Sequence, residues 1–120
     1  MNDPMPSPSP SSPANLFENP PQDFSKEHIL PLHKSGGSRI ERIFSNGQAS
    51  PPGFWYDQAR DEWVLLAAGS ASLEFDGGRM LDLKAGDHLL IPAHQKHRVA
   101  AVSRDAVWLA VHLGGSTAGD

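Results

Sequence analysis

From Ser38 to Leu113 the chain is cut into short β-rich runs, each closed by residues that turn a backbone. This punctuation constrains the fold more than any other feature. The runs expected as strands are Arg39–Ser45 before Asn46-Gly47, Gly53–Gln58 behind Pro51-Pro52, and Glu62–Ala68 ending at Gly69. They continue as Ala71–Asp76 before Gly77-Gly78, Met80–Leu83 before Lys84-Ala85-Gly86-Asp87, and His88–Ile91 stopped by Pro92. His97–Ser103 and Ala106–Leu113 complete the set. Ala71, Leu73 and Phe75 alternate with Ser72, Glu74 and Asp76, the period of two that puts successive side chains on opposite faces. Glycine takes the positive φ of a tight hairpin at no steric cost, so Asp76-Gly77-Gly78 marks one. No run sustains a 3.6-residue apolar repeat. Eight or so short strands at this spacing imply an all-β, closed or two-layered antiparallel domain. A barrel of that size leaves no open edge and has room inside for one small ligand or a metal.

The N-terminal third has a different character. Seven of the 11 Pro lie in the first 21 residues, interleaved with Ser7, Ser9, Ser11 and Ser12. A proline ring fixes φ and donates no amide hydrogen, and the segment has little apolar surface to bury. Residues 1–13 are therefore expected to be a disordered Pro/Ser tail. Leu16, Phe17, Phe24, Ile29, Leu30 and Leu32 follow without a regular period and are interrupted by Pro20, Pro21 and Pro31. Residues 14–37 read as an irregular arm that packs on the body, with one short helical turn near Ser25–His28. Residues 38–114 form the barrel, and 115–120 a flexible C-terminus.

Composition removes several functional classes. With 120 residues the chain is one domain. It has no cysteine, so a disulfide framework, a thiolate metal site and a cysteine nucleophile are excluded. The net charge is −4, and residues 1–25 contribute Asp3, Glu18 and Asp23 with no Lys or Arg. The remainder is near neutral, without the basic patch that nucleic acid or an anionic membrane requires. The start carries no basic and apolar leader, and a cytoplasmic location is expected. No Gly-rich phosphate loop precedes a helix and no nucleophile elbow surrounds a serine.

The stretch Gly86-Asp87-His88-Leu89-Leu90-Ile91-Pro92-Ala93-His94-Gln95-Lys96-His97 resembles the second signature of the cupin superfamily. Glu62, with Gly69 beyond it, resembles the second half of the first signature. The resemblance covers about 39–113. It implies a double-stranded β-helix, a small jelly-roll barrel of the single-domain bacterial type, with homodimers common. It also implies a metal centre of two His from a His-x-His, one Glu and one later His. Here the first motif is degenerate. The His-x-His positions fall on Trp55 and Asp57, or on Tyr56 and Gln58, and hold no histidine. Glu62 and His97 keep their places, with Asp57 as a candidate third ligand.

Two carboxylates and one imidazole suit one divalent ion such as Mn, Fe, Ni or Zn. The rival reading is a metal-free, hydrogen-bonded polar cluster. Tyr56, His94 and His112 are candidate pocket residues, His94 and Lys96 lying in the loop near the expected mouth. Three functions stay open: a barrel binding an unidentified small molecule; a metal-dependent enzyme of oxygenase or isomerase type using Asp57, Glu62 and His97; and a dimeric structural or regulatory barrel without a ligand.

Overall fold

A computed structural model describes residues 12–23 and 25–114. Eight strands follow in order: β1 (His28–Ser35), β2 (Ser38–Phe44), β3 (Glu62–Ala68), β4 (Ser70–Phe75), β5 (Arg79–Lys84), β6 (His88–Ile91), β7 (His97–Val102) and β8 (Val107–His112). They form a five-stranded sheet, β1-β2-β8-β3-β6, and a three-stranded sheet, β5-β4-β7, with all pairings antiparallel. No helix occurs among the described residues. The all-β, two-layered architecture expected from the spacing is the one found.

The period-two pattern builds the core. Val64 and Leu66 of β3 face Ala71, Leu73 and Phe75 of β4, with Leu83, Ile91, Ala106, Trp108 and Ala110 closing one buried cluster. Leu66 is wholly buried. Gly69, between β3 and β4, has φ +85, and a Cβ there would lie 2.8 Å from Ala106 Cα and collide with Ser103 Oγ. Only glycine permits that close approach of the two layers.

Two local expectations are corrected. The arm is not irregular throughout: His28–Ser35 is β1, an edge strand paired with β2, and its reversal is the Ser35–Ser38 hairpin with Gly36 and Gly37 both at positive φ. Pro31 is tolerated because this is an edge strand, and the register shifts between Pro31 and His33. The strand is largely exposed, so it carries none of the alternation by which a half-buried strand is recognised. No helical turn forms at Ser25–His28; two bends lead directly into β1. Conversely, Gly53–Gln58 is not a strand. It contributes a single bridge, Tyr56 to His97, because its neighbours Pro51 and Pro52 carry no amide donors for a ladder.

The earlier part of the arm does pack on the body. The Arg42 guanidinium donates to the backbone carbonyls of Leu16 (3.4 Å), Glu18 (2.7 Å) and Asn19 (3.4 Å), and lies 4.2 Å over the Phe44 ring. Ser12 and Pro13 have no regular structure; the rest of the expected tail, and residues 115–120, lie outside the described residues. No helix of the described residues is long and apolar enough to cross a membrane.

Candidate functional site

The strand register assembles the polar side chains inside the barrel. In the five-stranded sheet His112 of β8 stands opposite Arg39 of β2 on one side and Glu62 of β3 on the other. Directly opposed residues share a face, and residues two apart on one strand share it too. Arg39, Glu41, Ile43, Glu62, Val64, Trp108 and His112 therefore point the same way, into the barrel. The other sheet supplies His97 from the start of β7. The segment at 53–58 is held beside it by reciprocal backbone bonds, Tyr56 N–H to His97 O at 2.7 Å and His97 N–H to Tyr56 O at 3.1 Å. The cavity so enclosed has a volume of about 230 Å³. Its walls are apolar (Val64, Leu73, Ile91, Val99 and Trp108), and its polar groups are Glu27, Arg39, Glu41, Tyr56, Gln58, Glu62, His97 and His112.

Four of the side chains singled out in the sequence meet here: Tyr56, Glu62, His97 and His112. Glu62 Oε1 lies 3.8 Å from His97 Nε2, and Glu62 Oε2 lies 3.8 Å from His112 Nε2. His112 Nε2 is 3.1 Å from Glu41 Oε1, and Glu41 Oε2 accepts from Arg39 Nε at 2.6 Å. The Tyr56 and His97 rings stack at 5.3 Å. Asp57 and His94 are not brought to this cluster. Asp57 Oδ1 is 2.9 Å from His94 Nδ1, and both side chains are open to solvent outside the cavity. At the Tyr56–His97 bridge Tyr56 and Gln58 line the cavity, while Asp57 between them is turned to the outside.

Glu41 and Arg39 were missed as site residues, as was Glu27. Sequence alone held one signal for the first two. On the expected strand Arg39–Ser45, Arg39 and Glu41 share a face with apolar Ile43, an odd place for two charges unless that face lines a polar cavity. Glu27 had none, because its position depends on β1 folding back.

Burial sets the electrostatics. Glu62 loses its hydration and faces the Glu41 carboxylate, which together raise its pKa to about 7 against a smaller opposing effect of Arg39. Burial also raises Glu27 and, joined by the charges of Glu27 and Glu62, raises Tyr56. His97 is lowered by burial, partly offset by its bond to the Gln95 carbonyl. His112 is lowered by burial and by Arg39, against the pull of Glu41. At neutral pH the cavity thus holds neutral imidazoles beside a carboxyl poised between its two protonation states, the arrangement required for proton transfer.

A resident metal does not fit this donor set. The Gln95 carbonyl can only accept, so His97 Nδ1 carries the hydrogen (2.9 Å) and Nε2 presents a lone pair. That nitrogen and the Glu62 carboxylate are the free ligands of the Glu41–Glu62–His97–His112 cluster. His112 Nε2 is committed as a donor to Glu41, and Glu41 to Arg39. Protein metal sites ordinarily supply three or four ligands. Among the described residues no three His, Cys, Asp or Glu are arranged to hold an ion.

Residues 43–112 match the family model described as "Cupin domain". A protein from Ralstonia eutropha JMP134, provisionally named a mannose-6-phosphate isomerase, has a solved structure that superposes with a TM-score of 0.81 and 47% identity, covering 87% of this chain and 99% of that one. A cupin superfamily protein from Desulfitobacterium hafniense DCB-2 gives 0.74 at 22% identity over 89% and 94% of the two chains. An RmlC-like cupin from Desulfovibrio desulfuricans gives 0.68 at 20% identity over 84% and 95%. These two establish likeness of fold alone. No curated protein matches the chain significantly. With the model spanning most of the barrel, Glu62 on β3 and the Gly86–His97 stretch running through β6 to the start of β7, the chain belongs to the cupin family.

Proposed function

We propose that this cupin binds a small molecule inside its barrel and that Glu62 is the group that recognises it. The observation that carries the reading is Glu62 itself. It is 8% exposed, opens onto a 230 Å³ cavity, and has both imidazoles at 3.8 Å, beyond hydrogen-bonding distance. No protein donor reaches its oxygens, which open onto the cavity and are left for water or a bound molecule to satisfy. The apolar walls and few convergent polar groups are those of a ligand pocket, and the volume suits a compact molecule.

A titration followed by tryptophan fluorescence tests the reading, since Trp108 lines the cavity and is buried. Compounds small enough for the cavity should change the emission saturably in the wild type, and at least tenfold more weakly in Glu62→Gln. Emission that stays flat across such a set in both proteins would leave the barrel a structural or regulatory module.

The 47% identity to the protein provisionally named an isomerase favours a second reading, a proton-transfer enzyme. Isomerisation of a hydroxy-carbonyl compound needs a group that removes a proton at one carbon and returns it at the next. The Glu62 carboxyl near pH 7, with His97 Nε2 as a neutral acceptor beside it, has that capacity. Proton NMR of mannose 6-phosphate in deuterated buffer tests it directly. Exchange at the carbon next to the carbonyl, lost in Glu62→Gln, supports an enzyme; an unchanged spectrum removes that substrate.

A further inference from the structure

The hydrogen-bonding inventory of the cavity is lopsided. Glu62 offers two carboxylate oxygens and receives no hydrogen bond from any described residue. His97 Nε2 presents a lone pair, because Nδ1 has given its hydrogen to the Gln95 carbonyl. The donors nearby are already engaged. His112 Nε2–H points to Glu41 at 3.1 Å, and Arg39 Nε is bound to the same carboxylate at 2.6 Å, its side chain 43% exposed at the rim. Glu27 adds a third carboxylate to the lining and accepts only from the Ser45 hydroxyl, at 3.3 Å. Three carboxylates thus surround the space against one guanidinium, and that guanidinium is already paired.

Resting on the small-molecule reading above, we infer that the ligand is a small organic cation whose ammonium group enters beside Glu62 and His97 Nε2 and whose apolar skeleton lies against Val64, Ile91 and Trp108. An ammonium brings three donors and one positive charge to a place with free acceptors and surplus negative charge. A phosphate or carboxylate group brings only acceptors and would face the unpaired Glu62 oxygens. An uncharged alcohol brings one donor and no charge. The phosphate group of the sugar phosphate named for the Ralstonia protein is therefore disfavoured beside these acids, and the same geometry that leaves Glu62 unpaired supplies the selectivity.

Isothermal titration calorimetry on the full chain with three matched probes tests this: cyclohexylamine, cyclohexanol and mannose 6-phosphate. The amine should bind at least tenfold more tightly than the alcohol, and the phosphate not at all. Glu62→Gln keeps the shape but halves the acceptor capacity and removes the charge; it should weaken the amine tenfold or more and leave the alcohol unchanged. Glu27→Gln, at a position outside the buried cluster, should weaken the amine by a smaller factor, and it serves as the reporter if Glu62→Gln does not fold. Equal binding of amine and alcohol, or tighter binding of the phosphate, overturns the cation assignment while keeping a ligand pocket. Failure of all three probes at millimolar concentration overturns the pocket reading together with it. Stoichiometric uptake of Mn²⁺ or Zn²⁺ that depends on Glu62 and blocks the amine overturns the assignment in favour of a metal ion.

Discussion

The molecule contains two acid–histidine pairs of nearly the same length, and they differ in almost everything else. Glu41 Oε1 and His112 Nε2 are 3.1 Å apart with side chains 11% and 12% exposed. Asp57 Oδ1 and His94 Nδ1 are 2.9 Å apart with side chains 43% and 69% exposed. The first pair lies on adjacent central strands, in a cavity, next to a second acid, Glu62, whose titration is displaced to neutral pH. The second joins two loops at the surface, where water competes for every bond it makes. Distance alone would rank the second pair higher. Dielectric surroundings decide that only the first can hold a proton or a ligand with consequence.

Removing one partner from each pair should separate them most clearly. Glu41→Leu leaves Arg39 without its carboxylate and His112 without its acceptor, and should cost about 2–3 kcal/mol. Asp57→Ala should cost less than about 0.5 kcal/mol. Urea unfolding followed by circular dichroism measures both, and equal losses would dissolve the distinction.

Ligand binding comes next in size. His97→Ala removes the free Nε2 acceptor and the ring stacked on Tyr56, and should weaken any cavity ligand at least tenfold, about 1.4 kcal/mol. His94→Ala should leave the affinity unchanged, and a comparable loss there would place the binding surface at the loops.

The pH dependence of stability is a third, smaller effect. The folded-state pKa of Glu62 is raised from 4.5 to about 7, so the folded protein binds more protons than the unfolded chain between those values. Its contribution is greatest at acid pH and is lost as pH rises through 7. His97 and His112 are lowered, so their contribution has the opposite sign and is lost as pH falls below the ordinary histidine value of 6.5. The histidine effect still titrates near pH 6.5 and opposes that of Glu62, so the Glu62 contribution is read from the difference between wild type and Glu62→Gln. The stability difference between wild type and Glu62→Gln should fall by on the order of 1 kcal/mol between pH 6.5 and 8. Thermal melts across this range check it; a difference that stays constant with pH would show that Glu62 is not the titrating group. Asp57→Asn should leave the pH profile within about 0.3 kcal/mol of wild type, the smallest effect of the set.

Much of the fold was legible because its signals are local. Glu62–Ala68 and His88–Ile91 are bounded where the turn residues place them, and Ala71, Leu73 and Phe75 bury the face their alternation predicts. β1 was illegible for a physical reason. An exposed edge strand has no face to bury, so its apolar residues Ile29, Leu30 and Leu32 show no alternation, and Pro31 interrupts them as only an edge can accommodate. Gly53–Gln58 misled in the opposite sense: its aromatics suit a strand, but the chain around it cannot complete a ladder.

The candidate site divides in the same way. Glu62 and His97 stand out by their places in the two cupin-like signatures, which are carried by the chain's own sequence. Which way Asp57 points depends on the single bridge that turns Tyr56 inward, and Glu41 and Glu27 reach the cavity only through strand pairings made far away in sequence. Residue type, turn chemistry and period two determined the all-β class, and the resemblance to the cupin signatures marked Glu62 and His97. Tertiary structure alone decided the register that brings Arg39, His112 and Glu62 into one row, and the burial that moves the Glu62 carboxyl to neutral pH. Both are consequences of contacts between strands, and no local sequence pattern encodes them.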